Sequence, residues 1–232
     1  MISYRVDDEI ATITIDDGKV NVLSLPLLTE LNAALDRAEQ DQAVVILAGR
    51  QGVFSAGFDL PVLRAGGPDA LAMLRAGFET AARLLAFPRP VVIACTGHAV
   101  AMGVFLVLSG DYRVGVDGPF KITANEVAIG ITMPRAAVEI CRQRLTPAHF
   151  NRAVIIAETF ASADAVTAGI LDRTASASGV HQVTREVAAR LATLDPAAHA
   201  ASKLRARGAA LDAIRSAIDA DMAAYLVAAP AS

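Results

Sequence analysis

Two short turns, 54–60 (Phe-Ser-Ala-Gly-Phe-Asp-Leu) and 96–103 (Thr-Gly-His-Ala-Val-Ala-Met-Gly), contain residues that could stabilise a negatively charged oxygen. Each follows an apolar run typical of a buried strand. Gly57 permits a bend that presents the N–H of Phe58, and the N–H of Met102 stands at the start of an apolar helix, the positive end of its dipole. Two such donors directed at one carbonyl oxygen would form an oxyanion hole, which stabilises charge on a thioester or ester.

Glu126 is the third candidate for chemistry, because it has almost no charged neighbours in sequence and is followed by Val-Ala-Ile-Gly. Burial among apolar groups would raise the pKa of this carboxyl group and make the carboxylate a better proton acceptor at neutral pH. From the residues alone, an exposed loop glutamate is an equally good interpretation.

The elements that must position these groups are predicted from the apolar pattern. The alternation over 9–15 indicates a half-buried strand, and the continuous apolar runs 43–48 and 90–95 indicate strands covered on both faces. Further predicted elements are a helix capped by Ser24, helices at 69–86 and 102–108, and strands at 111–116 and 120–124. Beyond Pro134 the pattern predicts only helices, at 134–144, 147–157 (capped by Thr146), 163–168 (capped by Ser162), about 180–194, and 196–227 (capped by Asp195).

Composition restricts the class of protein. A chain of 232 residues suits one large domain or a domain with a helical appendage. The net charge of −3 and the lack of a basic stripe argue against a nucleic-acid partner. The longest apolar run, 99–108, is much shorter than the roughly 20 residues of a membrane span, and no signal-peptide pattern is present, so we expect no membrane association and a cytoplasmic location. Cys95 and Cys141 are expected to be buried free thiols, and the four scattered histidines predict no metal site.

The two turns resemble the paired signatures of the enoyl-CoA hydratase/isomerase (crotonase) family, and the segment 125–130 resembles the family's catalytic glutamate segment. This resemblance extends over roughly residues 5 to 230. It implies an α/β fold, the ClpP-like spiral of ββα units, followed by an all-helical C-terminal region. The expected division is a core domain over 1–195 and a helical trimerisation region over 196–232.

The resemblance also implies roles for individual residues. Glu126 would be the catalytic acid/base, and the backbone N–H groups of Phe58 and Met102 would form the oxyanion hole. The ligand would be an acyl-CoA thioester, with no cofactor besides the coenzyme A of the substrate. The implied substrate contacts are Ala56, Phe58, Asp59, Leu60, Met102, Gly103 and Phe105.

The resemblance further implies a homotrimer or a dimer of trimers. The Ala-rich helices over 180–227 agree, since they present more apolar face than one helical layer can bury. Two roles remain open for each of two basic groups. The segment 203–207 (Lys-Leu-Arg-Ala-Arg) either meets the CoA phosphates or is a solvated helix face, and Arg135 either borders the acyl pocket or serves as a surface or bridging arginine.

Two departures from the hydratase pattern favour isomerisation. Family hydratases carry proline before the glutamate, whereas this chain has Asn125, as do the family's isomerases. Hydratases also place a first glutamate three residues after the second oxyanion-hole donor, and that position here is Phe105. Adding water needs an activated water and a proton donor, whereas one carboxylate can move a double bond by shifting a proton from C2 to C4. The sequence therefore predicts an enoyl-CoA isomerase of fatty acid metabolism. The alternatives are an enoyl-CoA hydratase and a non-catalytic acyl-CoA-binding protein.

Four other side chains near the motifs are given structural roles. The second turn also resembles the nucleophile turn of Clp-type serine peptidases, but Ala101 occupies the serine position and has no hydroxyl. His98 is expected to be a hydrogen-bonded structural histidine. Asp59 is expected to be a local cap rather than a catalyst, and Asp111 a cap or the partner of Arg113.

Overall fold

The computed structural model describes residues 1–228, which form an α/β core followed by helices. The strands are β1 (Ile2–Asp7), β2 (Ile10–Ile15), β3 (Val22–Leu23), β4 (Val44–Ala48), β5 (Gly52–Ser55), β6 (Gly57–Phe58), β7 (Val91–Cys95), β8 (Gly97–Val100), β9 (Tyr112–Val116), β10 (Ile122–Thr123) and β11 (Arg173–Ala175). The helices are α1 (Leu25–Gln40), α2 (Leu60–Ala65), α3 (Gly67–Ala86), α4 (Met102–Leu108), α5 (Arg135–Arg142), α6 (Pro147–Ile156), α7 (Ser162–Ala168), α8 (Val180–Ala192) and α9 (Pro196–Ala228), with a 3-10 turn at Val127–Ile129.

Successive strands alternate between a large sheet and two small ones. The large sheet has the order β1-β2-β4-β7-β9-β11, in which only β1 and β2 pair antiparallel. After β4, β7 and β9 the chain enters the small parallel sheet β10-β8-β5, and β3 pairs with β6 in another. This alternation is the expected spiral of ββα units. It places both predicted oxyanion-hole turns at the small sheets.

The structure confirms most of the predicted strands and helices. Each of them follows from a local pattern of apolar or capping residues. β4 and β7 are buried at every residue, as their continuous apolar runs require. The α4 helix has the predicted bounds and is buried throughout. Ser24 caps α1, since its hydroxyl oxygen accepts from the N–H of Leu27 (3.4 Å), and Asp195 accepts from the N–H of Ala198 (2.7 Å) at the start of α9.

Two expectations for the C-terminal half are wrong. The region beyond Pro134 is not entirely helical, because β11 adds a parallel edge strand beside β9. This strand is only three residues long and lacks an apolar run, so its sequence carries no strand pattern. Ser162 is not the cap of α7, whose N-cap is Ala161. The Ser162 hydroxyl instead donates to the buried carbonyl oxygen of Val116 (2.7 Å) at the end of β9. A buried carbonyl oxygen of this kind needs a donor.

Two of the three basic side chains of the segment 203–207 turn inward, whereas Arg205 lies on the exposed face of α9. Lys203 is only 7% exposed, and its ammonium group lies 2.7 Å from one carboxylate oxygen of Asp111. Arg207 lies 2.8 Å from the other oxygen. Asp111 therefore joins α9 to the core, whereas Arg113 pairs with Asp172 at 2.8 Å rather than with Asp111.

Asp111→Asn should lower the free energy of unfolding by about 3 kcal/mol, because it leaves the charges of Lys203 and Arg207 buried without a counter-ion. Urea unfolding followed by circular dichroism measures the change. Asp212→Asn is the matched control, since the Asp212–Arg215 pair is exposed and 3.8 Å long and should contribute less than about 1 kcal/mol. Equal unfolding midpoints for the two variants would show that the Asp111 cluster does not hold α9 on the core.

Candidate active site

Gly57 brings the two turns into direct contact. A Cβ atom at this position would lie 2.9 Å from both the Ala101 Cβ and the Val100 carbonyl oxygen, and 3.2 Å from the Met102 nitrogen. Its φ of +89° is also one that L-residues with side chains rarely adopt. Only glycine therefore allows the first turn to approach the second so closely, with the N–H of Phe58 following directly.

Ala101 turns the chain into α4 through an unfavourable backbone conformation. Its φ of +50° and ψ of −125° are rare for a non-glycine residue. The Ala101 N–H donates to the Thr123 carbonyl (2.9 Å), and its own carbonyl accepts from Val104 (2.9 Å), so hydrogen bonds on both sides maintain the bend. Met102 is consequently the first residue of α4, where a backbone N–H has no acceptor within the helix.

A buried polar network holds the first turn, and sequence reasoning missed it. The Ser55 hydroxyl donates to the Asn21 carbonyl (2.7 Å) and accepts from the N–H of Gly57 (3.0 Å). The side-chain amide of Asn21 donates to the carbonyls of Ile15 (2.8 Å) and Phe54 (3.0 Å). Asn21 is fully buried and has a φ of +55°. The available signal was a lone asparagine between valines, a position where a buried amide needs backbone partners.

Glu126 is buried, with 7% of its surface exposed, and precedes the 3-10 turn. Burial raises the pKa of its carboxyl group from the ordinary 4.5 to about 7. Its Oε2 atom is inaccessible and has no hydrogen-bond partner among the described residues. The pKa of the Cys141 thiol on α5 is raised mainly by burial and secondly by the nearby negative charge of Glu126. Glu126 can therefore take up or release a proton near neutral pH.

Glu126, Phe58 and Ala101 line the same cavity, which has a volume of about 160 Å³. The rest of its wall is formed by Ala56, Leu60, Leu63, Phe78, Asn125, Ile129, Ile131 and Pro134. Among the residues that the structure describes, Glu126 is the one ionisable group in this wall. The fold thus brings a proton acceptor and both oxyanion-hole turns to one mostly apolar space, where electrostatic interactions are strong.

Four of the predicted site residues do not line this cavity, namely Asp59, Met102, Gly103 and Phe105. Asp59 caps α2, accepting from the N–H of Val62 (3.2 Å). Gly103 packs on the first turn, since a Cβ there would lie 2.6 Å from the Ser55 carbonyl oxygen. Phe105 is 1% exposed and stacks behind the cavity-lining Phe78, with ring centroids 6.2 Å apart. Phe78 in turn meets the Phe58 ring edge-on at 6.0 Å.

His98 lies outside the cavity wall and has two structural contacts. The His98 Nδ1 accepts from the N–H of Lys121 (2.9 Å), and its ring packs edge-on against Phe120 (5.3 Å), as expected of a structural histidine.

Within residues 1–228, no three His, Cys, Asp or Glu side chains form a group that could hold a metal ion. No helix in this range is long and apolar enough to cross a membrane.

Glu126→Gln should become stabilising as the pH rises. The raised pKa means that the folded state favours the neutral carboxyl group over the carboxylate. The neutral Glu126 side chain therefore contributes its full stability to the fold below pH 4.5, and this contribution is lost as the pH rises through about 7. At about 1.4 kcal/mol per pKa unit, the wild type should lose up to about 3 kcal/mol relative to Glu126→Gln between pH 4.5 and pH 8. Urea unfolding at both pH values measures the difference. A stability difference that does not change with pH would contradict the raised pKa.

Comparisons with known proteins show the family to which the chain belongs. The family model described as enoyl-CoA hydratase/isomerase matches residues 5–227. A crystal structure of an enoyl-CoA hydratase/isomerase family protein from Pseudomonas syringae is 44% identical, with a TM-score of 0.94 and 96% of each chain covered. The apo structure of an enoyl-CoA isomerase from Mycobacterium tuberculosis is 48% identical, with a TM-score of 0.92 and coverage of 96% of this chain and 97% of that one.

One curated relative is named as a hydratase rather than as an isomerase. A probable enoyl-CoA hydratase from Mycobacterium avium is 29% identical over 211 residues, which is 90% of this chain and 80% of the relative. The match over almost the whole length, with the spiral fold and the paired turns, shows that the chain belongs to the enoyl-CoA hydratase/isomerase family. It has a crotonase fold, and its relatives are named as enzymes that act on enoyl-CoA thioesters.

Proposed function

We propose that the protein is an enoyl-CoA isomerase that moves a double bond from C3–C4 to C2–C3 of an acyl-CoA thioester. The observation that carries this proposal is that Glu126 is the sole ionisable group, within residues 1–228, in a cavity that both oxyanion-hole turns reach. The raised pKa of Glu126 supports it, because a base that titrates near the working pH both accepts and returns a proton efficiently.

The reaction would proceed in two proton transfers. The thioester oxygen accepts hydrogen bonds from the N–H groups of Phe58 and Met102, and the Glu126 carboxylate removes a proton from C2. The C2–H electron pair forms a C1–C2 double bond as the carbonyl π electrons move to the thioester oxygen, which gives a dienolate whose charge rests largely on that oxygen. Protonated Glu126 then delivers the proton to C4, where the C3–C4 π electrons form the new C–H bond. The C1–C2 pair becomes the C2–C3 double bond as the carbonyl re-forms, so that the conjugated 2-enoyl thioester results. Neither water nor a redox cofactor is consumed.

The surroundings of Phe105 support isomerisation over hydration. A hydratase would need a second acid/base group on α4, and the side chain there is a buried ring that packs behind Phe78. Losing one positioned acid/base group lowers rates by roughly 10²–10⁴-fold. Hydration by Glu126 alone should therefore be slow compared with isomerisation.

The test is to incubate the purified protein with cis- and trans-3-enoyl-CoA and with trans-2-enoyl-CoA, identifying products by mass and NMR. We expect conversion of the 3-enoyl thioesters to the 2-enoyl isomer without a mass change, and little 3-hydroxyacyl product from trans-2-enoyl-CoA. Hydration as fast as isomerisation would favour the hydratase alternative. Binding without turnover of any of these thioesters would favour a non-catalytic acyl-CoA-binding protein.

A second carboxylate on α4 should introduce hydration only when it can reach the cavity. Phe105 does not line the cavity but contacts Phe78, which does, so Phe105→Glu combined with Phe78→Ala should hydrate trans-2-enoyl-CoA at least about tenfold faster than the wild type. Phe105→Gln with Phe78→Ala is the matched control without a carboxylate. Equal hydration rates for the two double variants would show that position 105 cannot supply the missing group. The buried carboxylate should also destabilise the fold by about 1–3 kcal/mol.

A further inference from the structure

Basic side chains gather at the edge of the large sheet where the parallel strands β7, β9 and β11 begin. The Arg113–Asp172 pair at this edge is complete, because two hydrogen bonds of 2.8 Å join the guanidinium to the carboxylate. Four further cations lie around one carboxylate, and we call this group the cation cluster: Arg89, Arg144, Lys203, Arg207 and Asp111. Its formal charge is +3, since 4 minus 1 is 3, whereas the whole chain carries −3.

The first turns of α9 supply one side of the cation cluster. His199, Lys203 and Arg207 follow one another at spacings of four residues, so they share one face of this helix. Burial lowers the pKa of His199, and the charges of three of the cations lower it further, against the opposing charge of Asp111. These three are Lys203, Arg207 and Arg89. The Arg89 guanidinium therefore lies close to this face of α9, where positive charges outnumber negative ones.

Three polar nitrogen atoms in and beside the cation cluster are buried without a partner. Arg89 is only 8% exposed, and its Nε atom is inaccessible and has no hydrogen-bond partner among the described residues. The Nε atom of Arg144 is likewise inaccessible and unpartnered within residues 1–228, and one terminal nitrogen of this side chain donates to the backbone carbonyls of Gly110 (2.7 Å) and Asp111 (3.2 Å). The third atom is the Nε2 of His199. Buried polar groups are almost always hydrogen-bonded, and a guanidinium can only donate, so the cation cluster is short of acceptors.

We propose that the cation cluster binds a phosphate-type oxyanion, which supplies both the missing acceptors and the missing negative charge. A phosphate group near neutral pH carries a charge of about −1.5 to −2 and several strong acceptor oxygens. Guanidinium groups donate to such oxygens in pairs, so arginine is well suited to phosphate recognition. The bound anion joins Arg89, in the segment before β7, to Arg144 and to the α9 face, and so holds α9 on the core together with Asp111. None of these residues lines the Glu126 cavity, so the site is separate from that of the proposed reaction.

Binding of inorganic phosphate to the full chain tests this assignment. Arg89→Met keeps most of the apolar stem but removes the charge and the donors, and Arg144→Met is a second variant in case the first does not fold. Arg205→Met is the matched control, because Arg205 lies between Lys203 and Arg207 in sequence but on the exposed face of α9. The measurements are the Kd of phosphate by calorimetry and the midpoint of urea unfolding with and without phosphate. Chloride replaces phosphate so that the ionic strength stays constant.

We expect saturable phosphate binding to the wild type and to Arg205→Met, and an affinity at least about tenfold weaker in Arg89→Met and Arg144→Met. Phosphate should also raise the urea midpoint of the wild type more than that of Arg89→Met, since the general salt effect of phosphate acts on both proteins. No binding to the wild type, or an equal affinity in all these proteins, would overturn the proposal.

Two other sources of negative charge would give different results. If carboxylates of a second copy neutralise the cation cluster, Arg89→Met should lower the oligomeric mass measured by light scattering. If the phosphate is one of coenzyme A, Arg89→Met should weaken the binding of coenzyme A as well as that of inorganic phosphate. Either result would overturn a separate anion site, for which we expect the mass and the affinity for coenzyme A to stay unchanged.

Discussion

Glu126→Gln should lower kcat for 3-enoyl-CoA isomerisation by about 10²–10⁴-fold while changing acyl-CoA affinity by less than about threefold. Glutamine keeps the shape of the side chain and the cavity, but its amide cannot accept a proton from C2. The loss should therefore appear in kcat rather than in KM. Steady-state kinetics with a 3-enoyl-CoA, together with calorimetry using a saturated acyl-CoA, separate the two effects.

Glu139→Gln is the control for this result. Glu139 lies on α5 outside the Glu126 cavity and pairs with Arg142, so its loss should leave kcat unchanged. If Glu126→Gln retained kcat within tenfold of the wild type, the proton transfer would have to come from another group. The assignment of Glu126 as the acid/base would then be wrong.

Gly57→Ala should lower kcat/KM by at least about 10²–10³-fold, because it separates the two turns that present the oxyanion-hole donors. The added Cβ would lie 2.9 Å from the Ala101 Cβ and the Val100 carbonyl oxygen, distances that a folded protein cannot keep. Any relief must move the Phe58 N–H or the Met102 N–H, because both belong to the segments in contact. Kinetics with a 3-enoyl-CoA measure the effect, and a thermal melt confirms that the variant is folded.

Gly52→Ala separates this steric effect from backbone strain. Gly52 has a φ of +85°, close to that of Gly57, but a Cβ there would have no atom within 4 Å. The two variants should therefore have a similar strain cost, of roughly 1–2 kcal/mol, while only Gly57→Ala loses catalysis. Equal activity of the two variants would mean that the close approach of the turns is not needed for the reaction.

The site retains several features that reduce stability. Ala101 has an unfavourable backbone conformation, and Glu126 has a buried carboxylate oxygen without a partner among the described residues. Such features persist where the surrounding structure over-determines them, and they concentrate at functional sites. Here the Thr123 carbonyl and the start of α4 hold Ala101, while the Asn21–Ser55 network holds the first turn. The chemistry that we propose uses these strained and desolvated groups.

The sequence alone was sufficient for the fold family and for the three groups of the candidate site. The strands β4 and β7 and the helix α4 follow from continuous apolar runs, which report burial without any knowledge of the partner. The two turns and the Glu126 segment could be found because close backbone contacts restrict residue type at each position, as the space around Gly57 shows. Signals of this kind are local in the chain.

Only the tertiary structure decided which residues meet across long separations. Asp111 and Lys203 are 92 positions apart, and no local pattern indicates that this aspartate pairs with α9 rather than with Arg113. The position of Phe105 behind Phe78 and the hydrogen bonds from Asn21 to the first turn likewise depend on packing between distant elements. The cavity of about 670 Å³ between α3, α9 and the segment before α5 is the extreme case. It is the space that these elements leave unfilled, and no single segment of sequence specifies that space.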